Sequence, residues 1–187
     1  MEVILASQSP RRKELMGLLH IPFTVRVADI DETPDPTLTP AEDVARLSRL
    51  KAEAVPRNPD DIVIAADTLV VFEDRELGKP TSSEDARRML QMLSGKIHQV
   101  MTGMTVLQGE KRITCTEITD VHFRPLSEEE IDAYIASGDP MDKAGSYGIQ
   151  SGAAGFVPRI EGDYYNVVGL PVCRLSQILK QFTEETP

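Results

Sequence analysis

The chain carries the stretch Val3-Ile4-Leu5-Ala6-Ser7-Gln8-Ser9-Pro10-Arg11-Arg12, which predicts a short strand that turns directly into a helix. Four apolar residues form the strand segment, and apolar residues recur with helical spacing after the arginines. Ser9 is a favoured N-cap residue, and Pro10 suits the first helical position, where a missing N–H costs nothing. The stretch therefore marks the start of an alternating pattern of strands and helices.

The same turn has the features of an anion site. Backbone N–H groups and the positive end of the helix dipole meet the side chains of Arg11 and Arg12 at one place. Guanidinium groups bind phosphate well, so phosphate is the anion that suits this turn best. An ordinary capped helix with two solvated arginines is the alternative, and the spacing alone leaves both interpretations open.

Further segments continue the alternation along the chain. We predict strands at residues 23–27, 62–66 with a continuation at 69–72, 97–107 and 112–123, and helices at 40–54, 82–93, 128–137 and 172–182. Residues 138–158 are glycine-rich and irregular. These elements predict a mixed α/β protein with one domain over residues 1–187. We expect an elongated mixed central sheet flanked by helices, with two lobes and a cleft.

Composition narrows the possible ligands. The 187 residues have a hydrophobic content of 41%, a charged content of 27% and a net charge of −10. This negative field argues against a long nucleic-acid groove, because such grooves neutralise many phosphates. No apolar run reaches the length of a membrane span. A small anionic ligand remains compatible, since a local basic pocket and a divalent cation can balance its charge.

Cysteine usage favours a reducing compartment. Cys115 and Cys173 match no zinc or redox spacing, and we expect both to be reduced core residues. The N-terminus lacks the pattern of a secretory signal peptide. We therefore expect a cytoplasmic protein.

Several polar residues are candidates for chemistry, each with a simpler alternative. Asp67 ends an apolar run and is placed to hold Mg²⁺ or orient a water, although it could equally be a strand-ending residue. Lys79, in Gly78-Lys79-Pro80, could place a charge on a phosphate or be an exposed turn lysine. Lys51 lies among other charged residues, which is typical of a solvated helix face.

The segment Asp29-Ile30-Asp31-Glu32-Thr33 matches the D-x-D-x-T pattern of aspartyl-phosphate phosphatases. That pattern should end the first apolar strand of a Rossmann-like fold. Here it follows the second predicted strand, which is less apolar, so we disfavour this interpretation. Asp31 and Glu32 remain candidate metal ligands.

Taken together, the segments resemble the Maf family of nucleoside triphosphate pyrophosphatases over nearly the whole chain. The motifs are Ser7-Gln8-Ser9-Pro10-Arg11-Arg12, Asp31-Glu32, Lys51-Ala52, Ala66-Asp67-Thr68, Gly78-Lys79-Pro80, Ser94-Gly95-Lys96 with His98, Val100 and Thr102, Asp142 to Gln150, Gly162-Asp163-Tyr164 and Val168-Gly169-Leu170-Pro171. Any single motif is weak, but their shared order makes coincidence a poor explanation. The resemblance implies an ITPase-like, Maf-like architecture and a homodimer.

The resemblance also implies a reaction and a set of site residues. The reaction is hydrolysis of a nucleoside triphosphate to the monophosphate and pyrophosphate, with Mg²⁺ or Mn²⁺ as cofactor. Asp67 would be the proton acceptor, and Glu32 and Asp67 would be the metal ligands; which of the two takes the proton stays open. The phosphate-binding residues would be Ser9, Arg12, Lys51 and Lys79.

Three residues bear on the choice of substrate. Arg11, Thr68 and Gln150 resemble the dTTP/UTP branch of the family, and modified pyrimidine nucleotides are further candidate substrates. Ser151 departs from the glycine that many relatives carry. Two alternatives are 7-methyl-GTP specificity and a non-catalytic nucleotide-binding regulator of septum formation.

Overall fold

A computed structural model describes residues 1–183, and the last four residues of the polar tail, predicted to be frayed, lie outside this range. The strands are β1 (Val3–Leu5), β2 (Thr24–Val25), β3 (Ile62–Phe72), β4 (Arg75–Leu77), β5 (Ile97–Gln108), β6 (Lys111–His122) and β7 (Arg159–Glu161). The helices are α1 (Pro10–Gly17), α2 (Pro40–Ala54), α3 (Ser83–Leu93), α4 (Glu128–Ala136), α5 (Tyr164–Val168) and α6 (Val172–Thr183). Three short 3₁₀ turns occupy much of the predicted irregular segment.

The strands form one mixed sheet in the order β2-β1-β3-β5-β6-β7, with β4 paired to β3. Strand β1 is parallel to both β2 and β3, whereas β4 and β7 pair antiparallel to their neighbours. The prediction of a mixed α/β protein with a central mixed sheet is therefore confirmed.

Two strand predictions need correction. The segment expected at 23–27 is a strand only at Thr24–Val25, because β2 lies at the sheet edge and its neighbour β1 has three residues. Asp67 does not end a strand, because β3 continues through it from Ile62 to Phe72. The polar pair Asp67-Thr68 within an apolar run looks like a strand end in the sequence. The backbone hydrogen bonds of a sheet, however, do not depend on side-chain polarity.

The described residues form two compact units. The first contains Met1–Asp67, Thr102–Glu117 and the chain from Gly169 onward. Its core joins buried apolar residues of β1, α2, β3 and β5, among them Ile4, Ala52 and Val63. Helix α2 lies against β5 at Gly103, where a Cβ atom would collide with the Val44 carbonyl. This close approach fixes the helix that carries Lys51.

The second unit contains Thr68–Met101 and Ile118–Val168. Its core combines aliphatic residues of α3 and α4 with four buried aromatic rings: Phe123, Tyr134, Tyr147 and Phe156. Successive rings meet edge to face, with centroids 4.8 to 6.0 Å apart. Such contacts favour one arrangement of the rings over others.

The cysteine prediction is wrong in part. Both cysteines are free, as expected, but Cys173 is exposed on α6 and Cys115 is only half-buried on β6. Sequence spacing gives no information on which face of an element a cysteine occupies. Among residues 1–183, no helix is both long and apolar enough to cross a membrane.

His98 gives the second unit a pH-dependent stability. The ring is 2% exposed, and its Nε2 lies 2.7 Å from the Tyr147 hydroxyl. Burial, and to a smaller extent the charge of His122, lower the pKa of His98 from 6.5 to about 3. Below pH 6.5 the unfolded chain binds a proton at His98, whereas the folded chain does not. The contribution of His98 to the free energy of unfolding is therefore complete above pH 6.5 and declines toward pH 3.

We expect the free energy of unfolding to fall by about 2 kcal/mol between pH 7 and pH 5 because of His98. Urea unfolding across this range measures the effect. His98→Gln should flatten the pH dependence, whereas the control His20→Gln changes an exposed histidine and should leave it unaltered. Equal slopes for wild type and His98→Gln would contradict the assignment.

Candidate active site

The loop before α1 is organised by two serine hydroxyls. Ser9 caps the helix by accepting a hydrogen bond from the Arg12 backbone N–H at 3.4 Å, as the sequence predicts. The buried hydroxyl of Ser7 accepts from the Ser9 backbone N–H at 3.2 Å and from Arg12 Nη1 at 3.4 Å. The turn therefore positions the Arg12 side chain as well as its backbone.

The Arg12 side chain also has a contact outside this turn. Its Nε donates to the Gly169 carbonyl at 2.8 Å, so α1 is joined to the segment that precedes α6. Burial lowers the pKa of Arg12, while the Asp67 carboxylate raises it and neighbouring Arg11 lowers it. The guanidinium thus lies in the electric field of Asp67, far from a freely solvated surface position.

Lys51 joins two acidic residues that are distant in sequence. Its Nζ lies 2.6 Å from Asp67 Oδ1 and 3.0 Å from Glu32 Oε2. The side chains of Lys51 and Asp67 are only 15% and 12% exposed, whereas that of Glu32 is 58% exposed. Lys51 is therefore not on a solvated face, which corrects the interpretation from its helical neighbours. The Lys51 ammonium contacts the Asp67 carboxylate, and this carboxylate also acts electrostatically on the Arg12 guanidinium, so the site is strongly polar.

The Glu32 and Asp67 carboxylates also fit a divalent cation. They converge on one positive charge, the Lys51 ammonium, so both can face a common cation. Within residues 1–183, no group of three or more His, Cys, Asp or Glu side chains is arranged for a metal. One or two carboxylates are nevertheless typical for Mg²⁺, because substrate phosphates and water complete its coordination. Asp31 is used differently, since its Oδ1 accepts from Thr33 within its own loop at 2.9 and 2.5 Å.

Three predicted site residues lie in the second unit. Thr68 is half-buried in β3, directly after Asp67. Lys79 is exposed beside Gly78, whose carbonyl accepts a hydrogen bond from the Gly145 backbone N–H at 3.1 Å. Gln150 is exposed in the loop that follows. The Lys79 turn and the Gln150 loop are thus joined through Gly145.

The first unit therefore brings together Arg12, Glu32, Lys51 and Asp67, with Ser9 and Arg11 in the α1 turn. Sequence reasoning missed two groups that hold Arg12. Ser7 and Gly169 both belong to the family motifs. They contact Arg12 through a hydroxyl and a backbone carbonyl oxygen, and no sequence spacing indicates such contacts. Only the fold brings Gly169 to Arg12.

Comparisons with known proteins identify the family to which the chain is similar. The family model described as Maf-like protein matches residues 2–182. The chain is 52% identical over 182 residues to a dTTP/UTP pyrophosphatase of Bacillus cereus (strain B4264), which covers 97% of this chain and 95% of the relative. The same values hold for a dTTP/UTP pyrophosphatase of Bacillus anthracis (strain CDC 684 / NRRL 3495).

A solved structure has a similar fold. The HAM1 protein from Coxiella burnetii aligns with 97% of this chain and 99% of its own length, at a TM-score of 0.53 and 16% identity. At this identity the similarity concerns the fold alone. It agrees with the central mixed sheet described above.

Proposed function

Because this chain belongs to the Maf-like protein family, we propose that it hydrolyses dTTP and UTP to the monophosphate and pyrophosphate. The observation that supports this proposal is that the Lys51 ammonium contacts both Asp67 and Glu32. In the same unit, the Asp67 carboxylate raises the pKa of Arg12. The group combines cations for a polyphosphate with a carboxylate that can accept a proton. Modified pyrimidine triphosphates are further candidate substrates, and removing them would protect the nucleotide pool.

The proposed reaction breaks the anhydride bond between the α- and β-phosphates. Water supplies a new P–O bond to one product, and the bridging oxygen leaves with the other. Asp67 accepts the proton that the water loses. Most of its carboxylate surface is buried, so few bulk water molecules compete with the attacking one.

Electrostatic stabilisation is the second part of the mechanism. We propose that Arg12 and Lys51 hold the phosphates, together with Ser9 and the first N–H groups of α1. Arg12 is pre-oriented by Gly169, so its guanidinium needs little reorganisation when charge develops. Lys79 would add a further phosphate contact.

We propose that Glu32 and Asp67 hold Mg²⁺ or Mn²⁺ when nucleotide binds. A divalent cation would neutralise phosphate charge and make the attacking water more acidic. A cation held by these two carboxylates would leave the Lys51 ammonium available to a phosphate oxygen.

Selection of the base is assigned to Arg11, Thr68 and Gln150. The Gln150 amide is exposed and offers both a donor and an acceptor, which can pair with the carbonyl and N3–H edge of a pyrimidine. We also propose a cytoplasmic location, in line with the two free cysteines, and a homodimeric assembly.

A nucleotide panel tests the proposed function. With Mn²⁺ or Mg²⁺, the protein should release pyrophosphate and monophosphate from dTTP and UTP, with a kcat/KM at least about tenfold above that for 7-methyl-GTP. Release of inorganic phosphate alone, or no product from any nucleotide, would contradict it. Higher turnover of 7-methyl-GTP would support the other branch of the family.

A further inference from the structure

Gln150 lies in a tight turn over residues 148–151. The Ser151 backbone N–H donates to the Gly148 carbonyl at 3.2 Å, which closes the turn around Gln150. Gly148 is confined, because a Cβ atom there would lie 2.6 Å from Ser151 Oγ and 2.7 Å from Lys143 Cε. The backbone of Gln150 is therefore presented from a compact loop, although its side chain is exposed.

One carboxylate holds both ends of this turn. Asp139 Oδ2 accepts from the Ser151 hydroxyl at 2.5 Å and from the Tyr134 hydroxyl at 2.6 Å. The Tyr134 oxygen in turn accepts from the Gly148 backbone N–H at 3.1 Å. Asp139 thus reaches residue 151 directly and residue 148 through one hydroxyl.

The second oxygen of Asp139 completes the network. Its Oδ1 lies 3.0 Å from Lys143 Nζ, which also donates to the Asp139 backbone carbonyl at 2.6 Å. Burial raises the pKa of Asp139, but the bonds from Ser151, Tyr134 and Lys143 outweigh it and leave this pKa below the ordinary carboxyl value. The network is therefore built for an ionised carboxylate.

Tyr134 connects this network to the rigid core of the second unit. It lies on α4, its ring is 5% exposed, and it meets the Phe156 ring edge to face at 5.2 Å. Gly152, next to the turn, packs so closely on Tyr134 that a Cβ atom would lie 2.9 Å from the ring. The turn is thus fixed to a packed aromatic side chain at two neighbouring points.

We propose that Asp139 is the positioning residue that sets the place of Gln150 and thereby the base selectivity of the enzyme. This inference rests on the proposed function, because it assigns to Gln150 a contact with the base. Asp139 itself touches no substrate in this scheme. It acts through Tyr134 and Ser151, and a displacement of the turn by about 1 Å is enough to spoil a specific contact.

The test compares the ratio of kcat/KM for dTTP to that for GTP among variants. Asp139→Ala should lower this ratio at least about tenfold, and Tyr134→Phe and Ser151→Ala should each lower it about threefold or more. Asp142→Ala is the matched control, since Asp142 also pairs with Lys143 at 2.7 Å, whereas the Ser151 and Tyr134 hydroxyls each donate to Asp139. We expect its ratio to equal that of wild type.

A double-mutant cycle separates positioning from general destabilisation. If Asp139 acts through Gln150, then Asp139→Ala should change the ratio by less than about twofold once Gln150→Ala is present. An undiminished effect in that background would overturn the proposal, as would an equal loss of kcat/KM for both nucleotides. Ser151→Ala removes a single hydroxyl and keeps the test informative if Asp139→Ala does not fold.

Amide hydrogen exchange gives a readout that needs no activity. Exchange at residues 148–151 should be faster in Asp139→Ala than in Asp142→Ala, and equal rates would contradict the anchoring role. Absence of pyrophosphate release from dTTP by wild type would instead refute the proposed function. The two failures are therefore distinguishable.

Discussion

Asp67→Asn is expected to lower kcat for dTTP hydrolysis by at least about a hundredfold, the usual contribution of a general base. Asparagine keeps the shape of the side chain and an oxygen for Lys51, but it cannot accept the proton of the attacking water. Lys51 also retains Glu32 at 3.0 Å, so we expect a loss of only about 1–2 kcal/mol in the free energy of unfolding. Steady-state pyrophosphate release and urea unfolding measure the two effects.

Asp61→Asn is the matched control for this substitution. Asp61 is a buried carboxylate just before the same strand, and it accepts from the backbone N–H groups of Glu2 at 3.0 Å and Asn58 at 2.9 Å. We expect this variant to lose stability while its kcat stays within about twofold of wild type. Near-normal turnover by Asp67→Asn would remove Asp67 from the catalytic role and leave Glu32 as the candidate base.

Lys51→Met should lower kcat/KM for dTTP by about a hundredfold, because a positioned positive charge near the phosphates is lost. It should also destabilise the protein, since the largely buried Asp67 carboxylate loses its ammonium partner at 2.6 Å. Glu32 also loses this partner, but its side chain is exposed and water can replace the ammonium. We therefore expect the free energy of unfolding to fall by about 1–3 kcal/mol.

Added Mn²⁺ distinguishes the proposed metal site from a purely structural ion pair. If Glu32 and Asp67 can hold a divalent cation, Mn²⁺ should raise the unfolding temperature of Lys51→Met more than that of wild type, because no ammonium competes for the carboxylates. Lys180→Met, which removes an exposed lysine on α6, should respond like wild type. Equal shifts in all three proteins would count against metal binding at these carboxylates.

Helix starts were the part of the fold that sequence predicted best. Ser9 caps α1 as expected, and α2 and α4 begin at the predicted residues 40 and 128, where Thr39 and Ser127 form capping boxes. Caps involve residues at most three positions apart, so a pattern of a few residues contains the whole interaction. The strand ends of β2 and β3 were less accurate, because they depend on which neighbour supplies the ladder.

For the candidate site residues too, the sequence shows local patterns but not long-range contacts. Asp67 is a candidate from its place in an apolar run, whereas Lys51 gains a role only from the family resemblance, because the pattern around it indicates a solvated face. Its real surroundings come from Asp67, 16 positions away, and Glu32, 19 positions away. No helical or strand period connects residues at such separations.

The sequence by itself determined the order of the longer strands and helices, without β4, β7 and α5, as well as the capped start of α1 and the family to which the chain belongs. Only the tertiary structure decided that Lys51 is shared by Asp67 and Glu32, that Gly169 holds Arg12, and that Asp139 anchors the turn of Gln150. The physical reason is range. Capping and periodicity act within a few residues, whereas these contacts exist only after the folded backbone has brought distant residues together.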